Sequence, residues 1–327
     1  MESNVLYFPY IKVPKSTWFT RMLLYWDSVG TIVPYDFFEN PDALGEHTKG
    51  LFERELVKPI PPGRYIYDIE AFDSAFGNFL GNPTINLELR RQLLEEGHVF
   101  KIHMEKMGPI EDLLVGLGLA KRTTYPWFKV ECNTANEFMA YLAGCLGKVP
   151  EINSMPVTDE EDNLHVFLES EKDEKQTTDE LNHLRIEVLE KVFPAPNHPL
   201  PAEDIENFKR KYGEKLRTFR RAVEKEIIEL AQLGNPVHRR RRIEIFEDEI
   251  QELTDEINAR FRENGIVNVV FGKLCPLLGA IPGASFVFGL ANAVYNAFGG
   301  GETSKTESPL AYAAYAKADL FATDEIV

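Results

Sequence analysis

The sequence predicts an α/β, or α+β, N-terminal domain over residues 1–195 followed by an α-helical domain over 202–327 built on a long antiparallel helical hairpin. Three observations carry this reading. Short β-like runs alternate with helical patterns through the first 150 residues, which favours a sheet with parallel pairing. Pro194, Pro196, Pro199 and Pro201 fall within eight residues, which forbids regular structure and marks a joint. Beyond it, apolar residues recur at steps of three and four for two long stretches, each the stripe of an amphipathic helix.

Val5 to Val13 is rich in Tyr, Phe, Ile and Val and reads as a strand closed by Pro14. Thr17 to Tyr25 then reads as a helix capped by Ser16 or Thr17. Gly30 to Val33, Tyr65 to Ile69, Val99 to Met104 and Trp127 to Cys132 are strand-like, whereas Ile110 to Leu117 and Ala135 to Leu146 are helix-like. Residues 151–180 hold eleven acidic side chains against two lysines and are broken by Pro156, so they are expected to be an acidic surface insertion or mobile connector. A helix is expected from Thr178 to Phe193.

In the second half, Ile205, Phe208, Tyr212, Leu216, Phe219, Val223, Ile227 and Leu230 form the first stripe, and Gly234-Asn235-Pro236 stops it. Ile243, Phe246, Ile250, Leu253, Ile257 and Phe261 form the second. Residues 265–301 then carry a single formal charge, Lys273, in a chain that is 27% charged with a net charge of −16. Gly279 and Gly283, then Gly289, Ala293 and Ala297, repeat at four-residue spacing, the ladder that lets two helices approach closely. Pro276 and Pro282 divide the segment into pieces shorter than the roughly 20 helical residues that span a bilayer, so an apolar Gly-rich hairpin is expected, buried in the protein or an oligomer interface, with membrane association as the alternative.

Composition bounds the function. A hydrophobic content of 44% supplies material for packed cores, and the acidic excess argues against nucleic acid as the main partner. Three cysteines at wide spacings suit neither a disulfide framework nor a zinc site, and no export signal is visible, so a reducing cytoplasm is the expected location. No complete catalytic, metal or nucleotide motif is present, and no cofactor is implied.

Three groups of residues could carry chemistry. Lys101, His103 and Glu105 share one face of a strand of period two, where a histidine beside a lysine and a carboxylate could move protons; Lys129, Glu131 and Asn133 present a similar face. Asp68, Glu70 and Asp73 follow a strand-like run, where carboxylates of α/β folds hold Mg²⁺ in nucleases and phosphohydrolases. Arg239, Arg240, Arg241 and Arg242 make a compact basic patch able to bind an anion, or to start a solvated helix.

Tyr7-Phe8-Pro9-Tyr10-Ile11, Leu23-Leu24-Tyr25-Trp26-Asp27 and the ending Pro309-Leu310-Ala311-Tyr312 resemble a large uncharacterised bacterial family with the same opening and close. The resemblance implies a bacterial cytoplasmic origin and lends no catalytic residue. The leading functional reading is an interaction or effector protein, whose helical region self-associates or engages a protein partner or membrane while the α/β domain receives a ligand or partner. The alternatives are a metal-assisted hydrolase or nuclease using the α/β-domain carboxylates, and a structural scaffold.

Overall fold

A computed structural model describes residues 4–160, 175–193, 196–263, 310–317 and 320. The chain divides into two compact units, residues 1–176 and 177–327, so the helix expected from Thr178 belongs to the second unit and the division precedes the proline-rich joint. The first unit is α/β with a parallel sheet, and the second is helical.

In the first unit, β1 (Asn4–Tyr7) pairs in parallel with β2 (Ser28–Ile32) on one side and with β7 (Met155–Val157) on the other, while β2 pairs with β3 (Val57–Ile60). The order is β3-β2-β1-β7, so the chain reverses its direction of travel across the sheet at β1. From Val5 to Tyr7 β1 is fully buried because both its faces are covered. Leu6 and the following Phe8 join the core formed with Phe72, Phe76, Phe138, Leu142 and Leu146, whereas the Tyr7 ring meets Phe19 edge-on with centroids 5.4 Å apart.

Phe19 belongs to α1 (Thr17–Tyr25), which packs on β2 and starts as the sequence predicts, with Ser16 Oγ accepting the Phe19 N–H at 3.1 Å. α2 (Gly45–Glu53) lies on β3. The expected strand Tyr65 to Ile69 instead holds a 3₁₀ turn, Ile66–Asp68, directly after another at Pro62–Arg64, because Pro61-Pro62-Gly63 cannot extend a ladder. α3 (Phe72–Leu80) and α4 (Leu87–Glu96) follow.

A second sheet is antiparallel, in the order β4-β6-β5: β4 (Val99–His103), β5 (Ala120–Arg122) and β6 (Trp127–Glu131). The one-turn helix α5 (Met104–Met107) leaves β4 directly, and α6 (Glu111–Gly116) leads to β5. α7 (Cys132–Gly147) packs on β1, β4, β6 and β7. Its cap is Glu131, which is wholly buried: Oε1 accepts the Asn133 N–H at 3.0 Å, and Oε2 accepts the Thr134 N–H and hydroxyl, each at 2.8 Å.

At the other end of α7, a Cβ on Gly147 would lie 2.3 Å from the Ser154 carbonyl oxygen, so only glycine admits the approach of the chain into β7. That strand corrects the expectation for residues 151–180: Met155–Val157 is part of the central sheet, with Pro156 tolerated because β7 is an edge. Residues 161–174 lie outside the described part.

The second unit contains α8 (Lys175–Val192), α9 (Ala202–Gln232), α10 (Pro236–Glu263) and α11 (Ala311–Ala316). All eight residues of the first predicted stripe are buried, as are Ile243, Phe246 and Ile250 of the second. α11 lies against both α9 and α10. Its Tyr312 is fully buried and stacks on Phe193 at 5.8 Å and on Phe219 at 6.0 Å, with Phe208 edge-on at 5.3 Å; Tyr315 stacks on Tyr212 at 4.7 Å. The closing motif of the sequence is therefore a core element. The segment 265–301, with Gly279, Gly283, Gly289, Ala293 and Ala297, lies outside the described residues.

Candidate functional site

In a parallel sheet the loops after the strands converge on one edge, and a crevice opens where the strand order reverses. Here that edge collects the segments after β1, β2, β3 and β7, and the reversal lies between β1 and β7. Tyr7 donates its hydroxyl to Asp159 at 2.9 Å across this boundary, and Tyr10 donates to Glu160 at 2.9 Å. Burial, reinforced by the Glu160 carboxylate, pushes the Tyr10 phenol up to about 12, so it remains a neutral donor. Thr31 on β2 donates its hydroxyl to the Tyr10 carbonyl at 3.2 Å, which folds the β1 exit over its neighbour.

The segment 103–106 ties these exits together. Glu105 Oε2 accepts the N–H of Tyr35, after β2, at 2.7 Å, and Oε1 accepts the N–H of Gly63, after β3, at 3.1 Å. A Cβ on Gly63 would stand 2.9 Å from the Glu105 side chain, so the glycine makes room for the carboxylate. Lys106 is buried and donates to the Pro9 carbonyl, after β1, at 3.1 Å. Burial alone lowers its ammonium to about 7. His103 is buried between the edges of Phe37 and Trp127. The Glu105 N–H donates to His103 Nδ1 at 3.2 Å, which leaves the ring proton on Nε2 to donate to Asp36 Oδ2 at 3.1 Å.

This geometry corrects the expected Lys101, His103, Glu105 face. β4 ends at His103, and Glu105 lies in a helical turn, so period two no longer applies; Lys101 is exposed, apart from the network that holds the other two. Both nitrogens of His103 are engaged, which leaves no lone pair for abstracting a proton. In the companion set, Lys129 and Asn133 are exposed while Glu131 is the buried cap.

Asp68, Glu70 and Asp73 are all exposed, on a 3₁₀ turn, the loop after it and the first turn of α3, positions where carboxylates serve as caps and solvated ends. Asp73 borders a cavity of about 320 Å³ with Leu87, Leu113 and Leu117. Among the described residues no group of three His, Cys, Asp or Glu side chains is placed to hold a metal ion.

The arginine run is largely absorbed by its own helices: Arg242 bonds Glu226 and Glu229, Arg241 pairs with Glu244 at 3.1 Å, and Arg239 donates to the Leu233 carbonyl at 2.6 Å. Sequence reasoning missed Lys106, Tyr10 and Tyr35. Their signal was topological, since each lies near a strand exit that is identifiable only when the strand order is known.

What stays open on the carboxyl edge is aromatic and acidic. Tyr10, Tyr35 and Phe38 are 44%, 48% and 44% exposed, and the Tyr35 and Phe38 rings stand 5.6 Å apart beside Asp36. Compared with family models, curated proteins and solved structures, the chain matches none of them at a significant level. Among the described residues, no helix is long and apolar enough to cross a membrane.

Proposed function

We propose that the chain is a bacterial interaction protein whose α/β domain receives a ligand or partner at the carboxyl edge of its parallel sheet, and whose helical region, arranged as a long antiparallel hairpin, self-associates. One observation carries the first half. Three large aromatic rings stand exposed beside Asp36 and Glu160 at the edge where the strand order reverses, above a network that fixes the strand exits. The rings and carboxylates suit a ligand with a positive charge and a flat face. Support for the second half comes from a groove of about 520 Å³ between the two long helices, where Ile245 and Phe246 lie among charged side chains of both signs, Arg221, Lys225, Glu229 and Glu249.

The hydrolase alternative draws no support from Asp68, Glu70 and Asp73, which lie exposed with no metal-holding partner group among the described residues. A thermal-shift screen of amines, guanidines and heteroaromatic cations against the full chain and the double variant Tyr35→Ala, Phe38→Ala tests the first half. Hits that stabilise the parent by several degrees and leave the variant unmoved are expected; hits that stabilise both equally would place the site elsewhere. Light scattering across protein concentrations tests self-association, and a monomer throughout would remove it.

A further inference from the structure

Lys101 on β4 and Lys121 on β5 are both register partners of Lys129 on β6, so three lysines stand in a row across the antiparallel sheet on one face. Directly opposed residues lie about 5 Å apart, and like charges in that position destabilise a sheet. All three side chains are exposed. Lys121 is compensated by Glu95, whose carboxylate it meets at 2.6 Å. Lys101 and Lys129 have no ion-pair partner among the described residues. The carboxylate two positions along β6, Glu131, is buried and spent on the cap of α7. Packing does not explain the row either, because the core face of this sheet is formed by Ile102, Phe128 and Val130.

We propose that Lys101 and Lys129, flanked by Lys121, bind a phosphoryl group of a short phosphate-bearing ligand. The site is separate from the carboxyl-edge site and does not depend on it. A phosphoryl group carries up to two charges and three acceptor oxygens, so one group can neutralise the ammoniums of two directly opposed lysines, whereas a single carboxylate leaves one uncompensated. The net charge of −16 repels a long polyanion, which favours a short chain of phosphates over nucleic acid.

Titration calorimetry of the full chain with sodium tripolyphosphate, in low salt and in about 0.2 M salt, tests this. Binding that weakens with salt is expected. Lys101→Gln and Lys129→Gln should each weaken it about tenfold, Lys101→Arg should retain it, and Glu95→Gln should tighten it by releasing Lys121. A parallel titration with a nucleoside triphosphate separates the sources: equal affinity assigns recognition to the phosphate chain alone, and tighter binding adds a contribution from the base. Without ligand, Lys101→Gln should raise the melting temperature by relieving the repulsion. Absence of tripolyphosphate binding at millimolar concentration, equal binding by the Lys101→Gln, Lys129→Gln double variant, or a lower melting temperature for Lys101→Gln would each overturn the proposal.

Discussion

The α/β unit has two charged regions that obey opposite rules. At the carboxyl edge, every group of the 103–106 segment that enters the interior finds a partner: Glu105 takes two backbone N–H groups, His103 engages at both nitrogens, and Lys106 reaches a carbonyl. Across the antiparallel sheet, lysines face one another in water and two have no carboxylate among the described residues. Burial enforces pairing because an unsatisfied interior charge costs several kcal/mol, whereas an exposed clash costs a few tenths and persists where it is useful. Paired polar groups at the edge thus hold the strand exits in place, whereas Lys101 and Lys129 of the row are the two left without an ion-pair partner among the described residues.

The strongest way to break this contrast is to remove the interior charge. The Lys106 ammonium titrates near 7 in the folded chain and near 10.5 when unfolded, so between those values the unfolded state binds more protons and stability rises with pH. The wild type should gain roughly 1.4 kcal/mol per pH unit in that window. Lys106→Met should remove this dependence and stabilise the protein at pH 7 by about 3 kcal/mol, after allowing for the lost bond to Pro9. Urea unfolding from pH 7 to pH 10 measures both, and an unchanged slope would show that the amine is solvated.

Glu105→Ala comes next. It strands the Tyr35 and Gly63 N–H groups and should cost about 3 kcal/mol in the same assay, with Glu105→Gln costing less because its amide oxygen still accepts a bond. Gly147→Ala drives a methyl into the Ser154 carbonyl and should cost about 2 kcal/mol, with faster hydrogen exchange in 155–157 showing that β7 has loosened from β1. The smallest effect belongs to the exposed row: Lys101→Gln should stabilise the protein by about 0.5 kcal/mol at low salt, and the gain should vanish in about 1 M salt.

Periodicity made the second unit legible. A stripe of eight residues at helical spacing can be buried in only one way, and each of the eight is buried. The cap at Ser16 was equally local and was found where expected. The candidate site was read less well because its determinants are long-range. Lys101, His103 and Glu105 alternate in sequence, but nothing local announces that the strand turns into a helix after His103. β7 was hidden because three residues containing a proline, inside an acidic tract, carry no strand signal of their own; the neighbour β1 and the close approach at Gly147 put them in the sheet. Lys101 and Lys129 are each visible in the sequence, but the register that sets them opposite one another is not.

The buried helix Ala311–Ala316 bears on how the protein is made. Tyr312 closes an aromatic cluster with Phe193, Phe208 and Phe219, partners more than ninety residues earlier in the chain. A ribosome therefore releases the two long amphipathic helices well before the side chain that seals their core, and their apolar stripes have to wait in water or on a chaperone. The α/β unit, complete by residue 176, can fold during that interval, so the halves of this protein are expected to mature in sequence, the sheet first and the helices only once Tyr312 has emerged.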